Sequence, residues 1–204
     1  MDEATIRRHH EAGDHDAATT AALKAYGPEV LGLLMALHRD ETQASDAFAL
    51  FGERLWQSLP GFRWQCSLRT WAYRIARAAS VDQRRADRRR ARRQVGLSAG
   101  VSQVAAEVRT ATLTYLRTEK RSAIQQLRDE LPADDQTLLV LRIDREMAWL
   151  DLATVFLADQ EIDHDKAALV RESARLRKRF QLVKKRLLET ARARGIVRSE
   201  PRER

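Results

Sequence analysis

Ser67-Leu68-Arg69-Thr70-Trp71-Ala72-Tyr73-Arg74-Ile75-Ala76-Arg77 continues through 78–81 into Asp82-Gln83-Arg84-Arg85-Ala86-Asp87-Arg88-Arg89-Arg90-Ala91-Arg92-Arg93. Apolar and aromatic residues recur in the first part at helical spacing. Ser67 suits an N-cap, because its hydroxyl can accept a backbone N–H of the first turn. The stretch therefore predicts one long helix, and residues 84–93 at its far end hold seven arginines. Such a helix can neutralise a phosphate backbone and offer rings to exposed bases.

Working outward, every periodic segment is helical, and no alternating strand pattern stands out. Toward the N-terminus the spacing predicts helices over 3–12 and 16–26, a third that opens at Pro28 and carries Val30 to Leu37, and a fourth over 41–59. Gly13, Gly27-Pro28 and Pro60-Gly61 act as breaks. Phe48, Phe51, Leu55 and Trp56 form one apolar stripe of the last of these. Toward the C-terminus, 94–114 reads as a flexible linker, with Gly96, Ser98, Gly100 and Ser102 and few large apolar residues. Helices are predicted over 115–131, 132–143 and 147–157. A long basic helix follows, with Leu169, Leu176, Phe180, Val183 and Leu187 on its apolar side. Short helices capped by an amphipathic basic helix are the pattern of a helix-turn-helix module. The expectation is an all-α chain of two helical domains, 1–93 and 115–204, with the linker 94–114 between them and an extended turn over 158–175.

Charge placement says more than total charge. The 204 residues carry a net +8. Residues 84–93 hold seven arginines against one aspartate, and 171–194 hold ten Arg or Lys against two glutamates. By contrast 1–83 and 94–170 are both net acidic. Two separate basic stripes on an otherwise acidic chain suggest two contacts on one polyanion. The plainer reading of each run is a solvated helix face.

Several functions are disfavoured. No apolar run reaches the ~18–20 residues of a membrane span, and the N-terminal residues lack the apolar stretch of a signal peptide. The single cysteine, Cys66, cannot form an internal disulfide and fits a reducing cytoplasm. No glycine-rich phosphate loop or dinucleotide fingerprint is present. His9, His10, Asp14 and His15 are the only cluster with ligand character, and no cysteine nearby completes a zinc set. No nucleophile sits with a base. The expectation is no enzyme, no metal and no cofactor.

Together the segments resemble a bacterial sigma factor of the small, two-domain extracytoplasmic-function type. The resemblance rests on Arg54-Leu55-Trp56-Gln57-Ser58-Leu59-Pro60-Gly61-Phe62-Arg63, on Ser67 to Ala76, on Trp149-Leu150-Asp151-Leu152-Ala153, and on Leu176-Arg177-Lys178-Arg179-Phe180 with Lys184-Lys185-Arg186-Leu187. It implies that the protein binds core RNA polymerase and directs it to promoter DNA. The N-terminal domain would dock on the polymerase, with Asp46, Arg54, Trp56 and Gln57 as candidate contacts, and capture the melted −10 strand. The C-terminal domain would read the −35 duplex. An anti-sigma protein is a further family partner, and the setting is cytoplasmic.

The residue chemistry suits those roles. Trp64, Trp71 and Tyr73 are candidates to stack bases, each stack contributing roughly 1–3 kcal/mol. Trp71 shares a face with Ile75, which favours core packing for it over a DNA contact. Trp64 lies in a loop. Arg74, Arg77, Arg84 and Arg85 can hold phosphates of one strand. Arg177, Lys178 and Gln181 fall where the family reads the major groove, and Arg175, Arg179, Lys184 and Lys185 suit phosphates. The chain departs from the family at Asp46-Ala47-Phe48-Ala49-Leu50, at Ala78 and in the long turn 158–175. Two other readings stay open: a stand-alone helix-turn-helix regulator without polymerase docking, and a module that binds single strands.

Overall fold

The computed structural model of the chain describes residues 2–38, 40–89, 123–157 and 165–197. Among these the architecture is all-α, as the periodicity predicts. Helix α1 (Glu3–Glu11) ends where Gly13 takes φ 74°. There the Asp14 N–H reaches the His9 carbonyl and the Gly13 N–H that of His10, so the last carbonyls of the helix are satisfied. Helix α2 (His15–His38) and helix α3 (Glu41–Ser58) follow, the latter capped by Asp40, which accepts the Gln43 N–H at 2.8 Å. A 3-10 turn, Leu59–Gly61, leads to the loop before helix α4 (Leu68–Arg89).

Two helices were expected on either side of Gly27-Pro28, and one continuous α2 is found. A proline inside a helix costs on the order of 3 kcal/mol through its missing donor and the clash with the preceding turn. Here Leu23, Val30, Leu31, Leu33 and Leu34 are all fully buried, while Pro28 faces solvent. Burying five large side chains, at ~1.5–3 kcal/mol each, outweighs that local penalty.

The loop before α4 is fastened twice. Ser67 Oγ accepts the Thr70 N–H at 3.1 Å, as expected of an N-cap, and Glu3 Oε1 of α1 accepts the Leu68 N–H at 3.2 Å. The inner side of α4 is lined by Leu68, Trp71, Ala72, Ala76 and Ala79, all buried. The three alanines leave little bulk between α4 and its neighbours, so the helix lies close against α2 and α3.

The C-terminal half comprises α5 (Ala123–Asp129), α6 (Ala133–Leu139), α7 (Trp149–Phe156) and α8 (Lys166–Ala193). The continuous helix expected over 132–143 is interrupted. Residues Val140–Asp144 widen into a π-helical turn, with the Arg145 N–H bonded to the Val140 carbonyl at 3.0 Å. Glu146 then takes φ 54°. This wide turn carries Arg145 toward α2, where its Nη2 would lie 3.2 Å from a Cβ placed at Gly32. Helix α8 begins with Asp165 accepting the Ala167 N–H at 3.2 Å, so residues 166–175 of the turn expected over 158–175 are helical instead, no breaker interrupting them, and it ends at Gly195, whose φ is 68°. Leu176, Phe180 and Val183 of α8 are buried, as their spacing predicts, whereas Leu150 of α7 is exposed.

One continuous buried cluster runs from Ile6 to Val183, and so joins the N-terminal helices to α6, α7 and α8. The expected linker 94–114, the start of the helix predicted from 115, the arginines of 90–93 and residues 158–164 of the long turn lie outside the described residues.

Candidate nucleic-acid interface

The aromatic residues of the loop and of α4 form a stacked group. Trp71 lies against Phe62 with ring centroids 4.6 Å apart and planes 27° from parallel, and it is buried. Tyr73 is buried too, its hydroxyl donating to Glu29 at 2.7 Å. Both rings are therefore used by the core in this arrangement. Trp64 is different. It is half-buried, with φ 58°, and its ring sits 4.9 Å from Phe62 and 5.3 Å from the Arg7 guanidinium. Its indole N–H points at His10 Nδ1 at 3.4 Å, while His10 Nε2 contacts the Leu59 carbonyl at 2.9 Å. Of the three candidate stacking rings, Trp64 is the one at the surface.

The α4 arginines are mostly engaged. Arg77 pairs with Asp134 at 3.0 Å, lies 4.7 Å over the Phe156 ring and keeps only 14% of its side-chain surface. Arg84 donates to the Leu37 carbonyl at 2.6 Å, and Arg74 is half-buried near Cys66. Burial pushes the Cys66 thiol up to about 11, against the opposing pull of Arg74, so it is a thiol rather than a thiolate at neutral pH. Arg85 remains 72% exposed, with Asp82 3.6 Å away.

The expected polymerase contacts lie on α3. Asp46 is exposed and accepts from Gln83 at 3.4 Å. Arg54 pairs with Asp82 at 2.7 Å, the Trp56 indole donates to Asp16 at 2.7 Å, and the exposed Gln57 bonds Glu53 at 3.2 Å. Arg54 and Trp56 thus also tie α3 to α4 and α2.

On α8 the polar face is presented outward. Lys178, Gln181, Arg177, Lys184 and Lys185 are exposed. Two of them are oriented by rings: Arg177 sits 5.7 Å from the Trp149 centroid and Lys184 5.3 Å from that of Phe180. Arg175 pairs with Glu172 at 2.5 Å, and Lys185 approaches Glu189 at 3.9 Å. Arg179 turns inward instead, to Asp135 at 2.6 Å.

Sequence reasoning missed Glu29. It accepts from Arg69 Nη2 at 2.8 Å, from Arg69 Nε at 3.0 Å and from Tyr73 at 2.7 Å. Burial alone would raise its carboxyl, but the hydrogen bonds from Tyr73 and Arg69 outweigh that and hold it below the usual range. It missed as well that Asp134, Asp135, Arg145 and Asp151 of the C-terminal half would meet α4 and α8. No local pattern marks such partners, because they are brought together only by the packing of distant helices.

Residues 22–90, spanning most of α2 with all of α3 and α4, match the Sigma-70 region 2 family model. This third of the chain is similar to a sigma-70 region 2. This region belongs to transcription initiation factors that act with RNA polymerase, and not to enzymes. The matched segment includes α4, the helix that holds Trp71, Tyr73 and the α4 arginines. No curated protein and no solved structure matches the chain. Among the described residues no helix is long and apolar enough to cross a membrane, and no group of His, Cys, Asp and Glu is arranged to hold a metal ion.

Proposed function

We propose that this protein is a promoter-directing sigma factor of the small extracytoplasmic-function type, working in the cytoplasm with core RNA polymerase. The region 2 helices dock on the polymerase through the α3 surface that includes Asp46 and Gln57. Helix α4 and the Trp64 loop hold the opened −10 strand. Helices α7 and α8 act as the helix-turn-helix pair, with Arg177, Lys178 and Gln181 toward the −35 bases and Arg175, Lys184 and Lys185 toward phosphates. Bidentate Arg or Lys contacts suit guanine, and Gln suits adenine.

The observation that supports this reading most is the pairing of a region 2 match with a second, outward-facing basic helix 28 residues long. One basic helix would serve any polyanion. A region 2 joined to a separate basic helix suits a factor that bridges two promoter elements. The polymerase supplies the chemistry, and this chain would supply recognition and strand capture, where a pocket for an unstacked base offsets the few kcal/mol of opening.

The test is reconstitution. Core polymerase is incubated with the full chain, bound promoter fragments are sequenced, and one is used for run-off transcription. Transcripts should depend on the chain. Tight binding to the same duplex without polymerase, and no transcript with it, would instead favour a stand-alone regulator. Strong binding to single strands of any sequence, again without transcripts, would favour a single-strand-binding module.

A further inference from the structure

Arg77 of α4 and Arg179 of α8 belong to different candidate DNA contacts, a hundred residues apart in sequence. Both are held by the same two neighbouring carboxylates at the start of α6. Asp134 accepts from Arg77 at 3.0 Å and lies 3.8 Å from Arg179, while Asp135 accepts from Arg179 at 2.6 Å. The first turn of a helix favours such carboxylates in any protein. Here they also reach across to two guanidiniums at once. Asp135 keeps 13% of its side-chain surface and Arg77 14%, while the bridging Asp134 keeps 43%, so the cluster lies at the open edge of the contact between halves.

Further polar links cross the same seam. Thr70 donates to Asp151 at 3.2 Å, and Arg69 Nη1 donates to the Arg145 carbonyl at 3.3 Å. The seam is not fully satisfied, however. Nε of Arg77 and Nε of Arg145 are buried without an acceptor among the described residues. An unsatisfied buried donor costs roughly 1–3 kcal/mol. The ion pair Arg77–Asp134 crosses a seam that the buried apolar cluster otherwise joins, and with Nε of Arg77 left without an acceptor it is the contact that a competing polyanion could exchange.

We propose that Asp134 and Asp135 form an acidic latch that occupies the phosphate-binding guanidiniums of both halves, so that the free chain closes α4 with its own C-terminal helices and nucleic-acid phosphates compete for the same groups. The carboxylate pair stands where two backbone phosphates would stand. Loss of Asp134's contacts frees Arg77 and removes one of the two carboxylates that hold Arg179, which couples the availability of one element's contact to that of the other. The latch rests on the expectation, drawn from the sequence, that Arg77 and Arg179 contact DNA phosphates.

Because phosphate contacts are indifferent to sequence, the test needs no known promoter. The full chain is titrated, without polymerase, into a fluorescent mixed-sequence duplex bearing a single-stranded tail, and anisotropy is read. Asp134→Asn with Asp135→Asn should bind about tenfold more tightly than the parent, the order expected when two phosphate-binding cations are released. Glu11→Gln with Glu53→Gln removes the same charge elsewhere and should change binding by less than about threefold. A second arm keeps the acidic pair. Thr70→Cys and Asp151→Cys, in a Cys66→Ser background, are oxidised to lock the seam and then reduced. The oxidised form should bind about tenfold more weakly than the reduced form. Equal binding by locked and unlocked chains, or equal gains from the two carboxylate pairs, overturns the latch alone. No binding by any form overturns it through the reading on which it rests.

Discussion

Helices α4 and α8 carry the two basic stripes, yet the fold treats them differently. On α8 the cations at 177, 178, 184 and 185 face solvent, and the helix buries only its Leu176, Phe180 and Val183 side. On α4 the helix is packed on several sides: Trp71 and Tyr73 are in the core, and Arg77 is closed under α6 and α7. The difference teaches that a guanidinium-rich sequence fixes where charge can be, whereas packing decides whether that charge is available. A change on α4 should therefore be felt first in stability, and a change on α8 first in binding.

The largest effect expected from this contrast is at Trp71. Trp71→Ala should destabilise the chain by about 3–5 kcal/mol, the usual loss for truncating a buried aromatic. Arg85→Ala, on the exposed side of the same helix, should stay within about 0.5 kcal/mol. Urea unfolding followed by circular dichroism measures both. If Trp71→Ala unfolds like the parent but loses strand capture, the ring is a DNA contact and the contrast between the two helices fails.

Next in size is the reverse experiment on α8. Arg177→Ala and Lys178→Ala should each cost about 1–3 kcal/mol of promoter discrimination per lost base contact, with the unfolding midpoint unmoved. Lys184→Ala should weaken binding to all sequences alike and lower the salt slope by about 0.9. A shift in folding stability for Arg177→Ala, without a change in promoter preference, would make its contact with Trp149 structural and place α8 beside α4.

How far these differences could be read from sequence depends on the residue. Helical periodicity gave the all-α class, the stripe of Phe48, Phe51 and Leu55, the Ser67 cap and the buried side of α8, because those depend on spacing within one helix. Pro28 misled, since its local penalty is real but smaller than the burial gained by the leucines around it. The π-helical turn at 140–144 was invisible, as nothing in Val-Leu-Arg-Ile-Asp marks one. Site residues were legible as a class. Arg77 and Arg84 of α4 were picked out, but their partners Asp134 and Leu37 lie 57 and 47 residues away, and complementarity at that distance has no sequence period.

A smaller effect separates backbone from side chain at Trp64. Its φ of 58° is a conformation glycine adopts without steric cost. Trp64→Gly should therefore retain about 1 kcal/mol more stability than Trp64→Ala, although both lose the contacts with Phe62 and Arg7. Both should impair promoter opening more than initial duplex binding if the ring takes up a base, which permanganate footprinting on the holoenzyme would report. Equal stability of the two variants would mean that the loop relaxes once the indole is gone.

The pH response of Glu29 is the subtlest test of the seam between α2 and α4. Its carboxyl is held below the ordinary value of 4.5 in the folded chain and returns to that value on unfolding. The unfolded state thus binds the proton more readily. The stabilisation from Glu29 is complete above about 4.5, declines as pH falls below that, and is gone once pH has passed the lowered folded value. Glu29→Gln removes this dependence, so its stability should fall less steeply than the parent's below that point, while being lower at neutral pH. Urea midpoints measured across that range decide the matter. Parallel curves would mean that Arg69 and Tyr73 do not favour the charged carboxylate, and that α4 is held in place by its buried rings and alanines alone.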